Sequence, residues 1–132
     1  MDATSRRPQI RELDVALLRD TIARLLVEAN YCIPRDILDA LRDAAVREES
    51  ELGRRTLEQL VRNYEIAAAK RLPVCQDSGL TVVLLEVGQD VHWVGGDLHE
   101  AVYAGIREGT QRGYLRWSVV SRPILRVNDP AA

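Results

Sequence analysis

Apolar residues in the first half of the chain recur every three or four positions. Ile10, Leu13, Leu17, Leu18, Ile22, Leu25, Leu26 and Ala29 form one such stripe, with Arg11, Arg19, Asp20 and Arg24 mostly on the opposite side. That spacing predicts an amphipathic helix. Asn30-Tyr31-Cys32-Ile33 interrupts it, and Pro34 suits the first position of a second helix, which Ile37, Leu38, Leu41, Ala44 and Ala45 carry to about Glu48. A third helix is predicted from Glu51 to Arg71, with Leu57, Leu60, Val61, Tyr64, Ala67 and Ala68 on its buried side.

The period changes after Pro73. Leu80 to Val87 is β-branched and almost wholly apolar, the pattern of a strand buried on both faces. Gly88-Gln89-Asp90 reads as a turn into a second short strand, Val91-His92-Trp93-Val94, so the two are expected to form a hairpin or small sheet. Gly95-Gly96 breaks the chain, and Asp97 with Glu100 three residues on is a capping-box start for a covering helix. Leu98, Val102 and Ile106, joined by Ala101 and Ala104, supply that helix's buried face, and Gly113 its stop. A further strand is expected around Trp117-Ser118-Val119-Val120, followed by an irregular tail over 121–132. The expected fold is α+β and helix-rich, a single domain over 1–132 with helices in 10–71, a loop at 73–79 and strands plus one helix in 80–120.

Composition adds limits. Phenylalanine is absent and aromatics are 5%, so the core must come from Leu, Val, Ile and Ala. Eighteen basic against twenty acidic residues leave a net charge of −2, with no basic stripe for nucleic acid. No apolar run approaches the ~20 residues that span a bilayer, and the basic N-terminus lacks the apolar stretch of a secretory signal. A cytoplasmic protein is therefore expected. There Cys32 and Cys75 are reduced thiols rather than a disulfide.

The chemistry concentrates in Pro73-Val74-Cys75-Gln76-Asp77-Ser78-Gly79, which sets a thiol, an amide and a carboxylate side by side at a turn. This stretch resembles the Pro-x-Cys-Gln-Asp-Thr-Gly signature of the class I fumarase and tartrate dehydratase family, the iron–sulfur hydro-lyases. Val87-Gly88-Gln89-Asp90-Val91-His92, Gly95-Gly96-Asp97-Leu98 and Gly113-Tyr114-Leu115-Arg116 resemble further segments of the family's catalytic α region, in its order and at about its spacing. The resemblance covers about Ile10 to Asn128. Ser78 stands where the family usually has threonine, and Trp117 where it often has lysine. Beyond Val120 the family's Asp-Pro-Leu and Arg-Lys-Asn-Thr segments are kept only in part.

The resemblance implies that Cys75 is one of three cysteine ligands of a four-iron, four-sulfur (4Fe-4S) cluster, the other two lying downstream of where this sequence stops. The iron left without a protein ligand would act as a Lewis acid on a small dicarboxylate such as fumarate, malate or tartrate. Gln76 and Asp77 are then expected to line the substrate pocket, and Arg116 to bind a carboxylate bidentately. The family's β domain is absent, so the expected partners are the remaining α region or β subunit, or further copies of the chain. The chain alone is expected to be inactive.

The plainer readings stay beside these. Asp77 also suits an Asx-type turn, Arg116 a surface position and Cys75 a small buried hydrophobe. His92 is expected to be packed in its strand, His99 solvated in the first turn of its helix, and Cys32 a core thiol. The competing function is a non-catalytic interaction or regulatory module that keeps the fold. A thiol enzyme built on Cys75 lacks a histidine placed as its base.

Overall fold

The computed structural model of the chain describes residues 10–131. Its elements run β1 (Arg11–Asp14), α1 (Val15–Tyr31), α2 (Arg35–Arg47), α3 (Glu51–Lys70), β2 (Val91–Val94), α4 (Leu98–Arg112), β3 (Val120–Arg122) and β4 (Val127–Asn128). The fold is α+β and weighted toward helix, as the pattern predicts, with the strands in two small two-stranded sheets.

The predicted first helix begins later than its stripe. Ile10 and Leu13 share the spacing of the helical residues, yet Arg11–Asp14 is a strand, paired in parallel with β2 from Arg11 opposite Val91 to Asp14 opposite Val94. The boundary is Asp14, whose Oδ1 accepts the Ala16 N–H at 2.8 Å and so caps α1. The same carboxylate explains Gly95, where a Cβ would lie 2.9 Å from Asp14 Oδ1 and φ is +85°. Only glycine lets the loop after β2 cross the start of α1 so closely.

The core lies between α1 and α4. Leu18, Ile22 and Ile106 form its centre, with Leu26, Val83, Trp93, Leu98 and Val102 packed around it. Two glycines set the closeness of this helix pair. A Cβ on Gly105 would sit 2.7 Å from the Arg19 carbonyl oxygen, and one on Gly109 2.9 Å from that of Ala23. Small residues four apart make a flat stripe on α4 against which the α1 backbone lies. The predicted apolar face of α4 is correct but omits this stripe.

Capping signals hold well. Asp97 accepts the Glu100 N–H at 3.0 Å, Ser50 accepts the Gly53 N–H at 3.3 Å, and Gly113 follows the last residue of α4. Helices α2 and α3 form a hairpin joined by the Arg42–Glu65 ion pair (2.7 Å). This hairpin touches α1 only lightly, and Val46 and Leu52 remain 85% and 77% exposed. Its ends are tied in by Tyr31, which is buried and donates its hydroxyl to the Gly113 carbonyl at 3.1 Å, beneath the Arg71 guanidinium 5.3 Å from its ring centre.

Expectations further along the chain also fail. Leu80 to Val87 is not a buried strand and forms no hairpin with β2, which pairs instead with β1. Leu80, Val82 and Leu84 are 78%, 79% and 93% exposed. The tail is more ordered than expected, because β3 and β4 form an antiparallel hairpin with Val120 opposite Asn128. That strand begins at Val120, three residues later than the Trp117 start expected of it.

Candidate functional site

The loop at 73–79 starts where α3 stops. Arg71 adopts a left-handed conformation (φ 54°) as the C-cap, and Pro73 cannot continue a helix. Val74 is then held from two sides. Its N–H donates to the Asn30 carbonyl at the end of α1 at 3.0 Å, and its carbonyl accepts from Asn63 Nδ2 on α3 at 2.8 Å. The residue before the cysteine is therefore fixed to both helices.

Beyond that anchor the chain turns outward. Cys75 is a free, exposed thiol, and its Sγ donates to the Asp77 carbonyl at 3.2 Å. Asp77 Oδ1 accepts the Gly79 N–H at 3.1 Å, which is the Asx-type turn. Gly79 has φ +62° with nothing within 4 Å of where a Cβ would stand, so backbone conformation and not space selects glycine. Ser78 donates its hydroxyl to the Arg116 carbonyl at 2.7 Å, joining the cysteine loop to the segment after α4.

The consequence is a cleft of about 290 Å³ lined by Asp77, Arg116, Trp117, Ser118, Arg126 and Asn128, among others. Asp77 and Arg116, thirty-nine residues apart, thus border one space. Cys75 and Gln76 stand exposed on the adjoining turn and do not line the cleft. Asp77 makes the local turn and borders the cleft at once, so its two readings coexist. Arg126 was missed by pattern reading. It sits in the β3–β4 connection with φ 51°, and no local signal announces that this connection folds back over the cleft. Two guanidinium groups against one carboxylate give the cleft an excess of positive charge.

The other candidates fall elsewhere. His92 is exposed on β2 rather than packed, because the pairing with β1 turns its side chain outward. His99 is exposed in the first turn of α4, as expected. Cys32 is only partly buried, not a core thiol. A hydrogen bond to Glu28, reinforced by burial, raises its pKa above the usual thiol value. Glu28 is lowered in turn by that bond and by Arg71, 3.2 Å away. The raised pKa lowers the thiolate fraction of Cys32 at a given pH.

Cys75 fits one ligand position of an iron–sulfur cluster: it is free, accessible and held at a fixed root. Among the described residues no three His, Cys, Asp or Glu side chains gather as a metal-binding group, so any further ligands of such a cluster would come from outside them.

Residues 19–131 match the family described as Fumarate hydratase (Fumerase). The chain belongs to that fumarate hydratase family. It is 31% identical over 112 residues to the putative L(+)-tartrate dehydratase subunit alpha of Methanocaldococcus jannaschii, covering 84% of this chain and 39% of that protein. It is 36% identical over 84 residues to the aerobic class I fumarate hydratase of Escherichia coli K12, covering 64% of this chain and 15% of the enzyme. The anaerobic class I enzyme of the same organism is 38% identical over 71 residues, covering 54% and 13%. The chain thus spans about two-fifths of the tartrate dehydratase relative and far less of the two fumarate hydratases. The family is one of hydro-lyases. Among the described residues no helix is long and apolar enough to cross a membrane.

Proposed function

We propose that this chain is the N-terminal portion of an iron–sulfur-dependent hydro-lyase that reversibly hydrates or dehydrates a small dicarboxylate, of the fumarate/malate or tartrate/oxaloacetate kind. The observation that carries the reading is the convergence of two family segments on one cleft. Asp77, on the loop that carries Cys75 and Gln76, and Arg116 come from separate parts of the sequence and border that cleft, tied by the Ser78–Arg116 hydrogen bond.

In this reading Cys75 supplies one thiolate to a 4Fe-4S cluster whose other ligands belong to the rest of the assembly. Bound there, the cluster supplies Lewis acidity toward the substrate's hydroxyl and carboxylate. The chain's own residues bind and orient. Arg116 takes a carboxylate through its planar fork, and Arg126 adds a second positive group to the lining of the cleft. Asp77 accepts from the substrate's hydroxyl, and Gln76, next to the thiolate, contributes an amide on the open side. Fixing both carboxylates of a diacid relative to the reacting carbons is the positioning part of the catalysis.

One thiolate and part of a pocket make no transition-state site, so the chain requires the remaining α region or β subunit, or additional copies, for activity. The test is Arg116→Ala against Arg116→Lys in the assembled enzyme, with fumarate and tartrate as substrates. Arg116→Ala should raise KM about tenfold to a hundredfold, the loss expected for a charged hydrogen-bonded pair. Lysine should recover only part of it. Unchanged kinetics in both variants would end the carboxylate assignment.

A further inference from the structure

Residues 80–87 have the composition of a strand, yet among the described residues they form none and pair with nothing. Over residues 80–84 burial alternates with period two, whereas Leu85, Glu86 and Val87 are all exposed. Leu80, Val82 and Leu84 are 78%, 79% and 93% exposed, while Thr81 and Val83 turn inward and Val83 packs on the α1–α4 core. That is the alternation of a pleated strand lying on a helix layer. Yet among the described residues no hydrogen bond is made to or from the backbone of 80–87. Eight residues of mainly β-branched and leucine sequence with both edges open and an apolar outer face are a template for another strand.

The surface of the whole chain points the same way. It exposes 10465 Å², whereas a compact monomer of 14.8 kDa exposes about 7,000 Å². Ten residues of average mass add about 1,600 Å² even when fully extended, so the ten outside the described range cannot account for the difference. An excess of about 2,000 Å² remains, within the area one partner contributes to an obligate interface.

A second copy of the chain does not meet this demand. Two copies joined edge to edge through 80–87 would satisfy one edge each and leave Leu80, Val82 and Leu84 of both facing water. Between the segment and α1 lies, in addition, an open groove of about 570 Å³ bordered by Ile22, Leu25 and Ala29. The occupant has to supply a strand and a cover together, which takes a body of its own. The tartrate dehydratase α-subunit relative has chain to spare for such a body, since only 39% of it corresponds to this chain.

We propose that residues 80–87 are an open strand position, completed by a β-strand of the polypeptide corresponding to the unmatched part of that α-subunit relative, whose apolar side chains cover Leu80, Val82 and Leu84. The pairing rests on family membership and on the unpaired backbone, and is independent of whether Cys75 binds iron.

The test is amide hydrogen exchange on the protein as isolated from its source cells and on the 132-residue chain alone. In the chain alone, amides of 80–87 should exchange as fast as in an unstructured peptide at low and high concentration, while α1 and α4 stay protected. In the native assembly the same amides should be slowed by at least about a hundredfold, and the polypeptide in contact, covalently continuous or not, should carry the sequence of the unmatched region. Val82→Lys should abolish the slowing and leave α1 and α4 protection unchanged. Slow exchange in the chain alone that grows with its concentration would assign the edge to a second copy and overturn the proposal. Fast exchange of 80–87 in the native assembly, or a contacting polypeptide unrelated to the family, would overturn it as well. Because no activity is read, an assembly with a protected strand and no iron would count against the proposed chemistry alone.

Discussion

Ser78 donates its hydroxyl to the carbonyl oxygen of Arg116 at 2.7 Å, and through that bond the cysteine loop and the segment after α4 become walls of one cleft. The bond uses only a hydroxyl, which the threonine usual in the family would also supply. Ser78→Ala should cost about 0.5–1.5 kcal/mol in urea unfolding, and Ser78→Thr should stay close to the parent. Equal stabilities for parent and alanine variant would mean the bond does not hold the loop.

Gly105 lets α4 lie against the α1 backbone, where a Cβ would meet the Arg19 carbonyl oxygen at 2.7 Å. Gly105→Ala should therefore destabilise the chain by about 1–3 kcal/mol despite alanine's better helix propensity. Gly88→Ala, whose Cβ would find its nearest neighbour at 3.9 Å, is the comparison and should lie within about 0.5 kcal/mol of the parent. A neutral Gly105→Ala would show that the helices separate at no cost.

The two thiols should differ in reactivity. Cys75 is exposed, whereas Cys32 is partly buried and its pKa is raised by the hydrogen bond to Glu28. Raising a thiol's pKa reduces its thiolate fraction at a given pH, so iodoacetamide should modify Cys75 first and Cys32 only at more alkaline pH. Glu28→Gln removes the negative charge from that bond and should move Cys32 alkylation toward lower pH. Mass spectrometry of the alkylated peptides reads both effects, and equal rates for the two thiols would contradict the arrangement.

Asp129 fastens the tail to α4. Arg107 donates to both of its carboxylate oxygens at 3.1 and 2.9 Å, which lowers its pKa below the ordinary aspartate value, and the Ala131 N–H reinforces this. A lowered carboxylate pKa contributes stability that is present above the unfolded value, near 3.9, and is lost as pH falls through the folded one. The tail should therefore stay docked through neutral and mildly acidic pH and loosen only below the normal aspartate range. The pair is at the surface, so the effect is small and weakens with salt. Amide exchange at Ala131 should accelerate in Asp129→Asn already at neutral pH; unchanged exchange would show that the ion pair does not hold the tail.

What the sequence made legible was local. The limits of α3, the Asp97 cap and the Gly113 stop depend on side chains within one helical turn of the boundary, so pattern alone locates them. Arg11–Asp14 was misread because Ile10 and Leu13 are in helical phase, while the pairing that makes them a strand involves residues eighty positions away. Residues 80–87 carry a strand's composition, but no strand among the described residues pairs with them, and the expected burial did not follow. The cysteine loop was visible as a motif. Its anchors, Asn30 and Asn63, and the arrival of Arg126 at the cleft depend on tertiary contacts that no local pattern encodes.

The claim at the centre of this account is that Cys75 holds iron. The most direct measurement is iron and acid-labile sulfide content, with the visible absorption spectrum, of the protein isolated anaerobically with its native partners, beside Cys75→Ser and Cys32→Ser. The account predicts a cluster spectrum in the parent and in Cys32→Ser, and its loss in Cys75→Ser with the assembly intact. A cluster that survives Cys75→Ser, or no iron in the intact parent assembly, would contradict it.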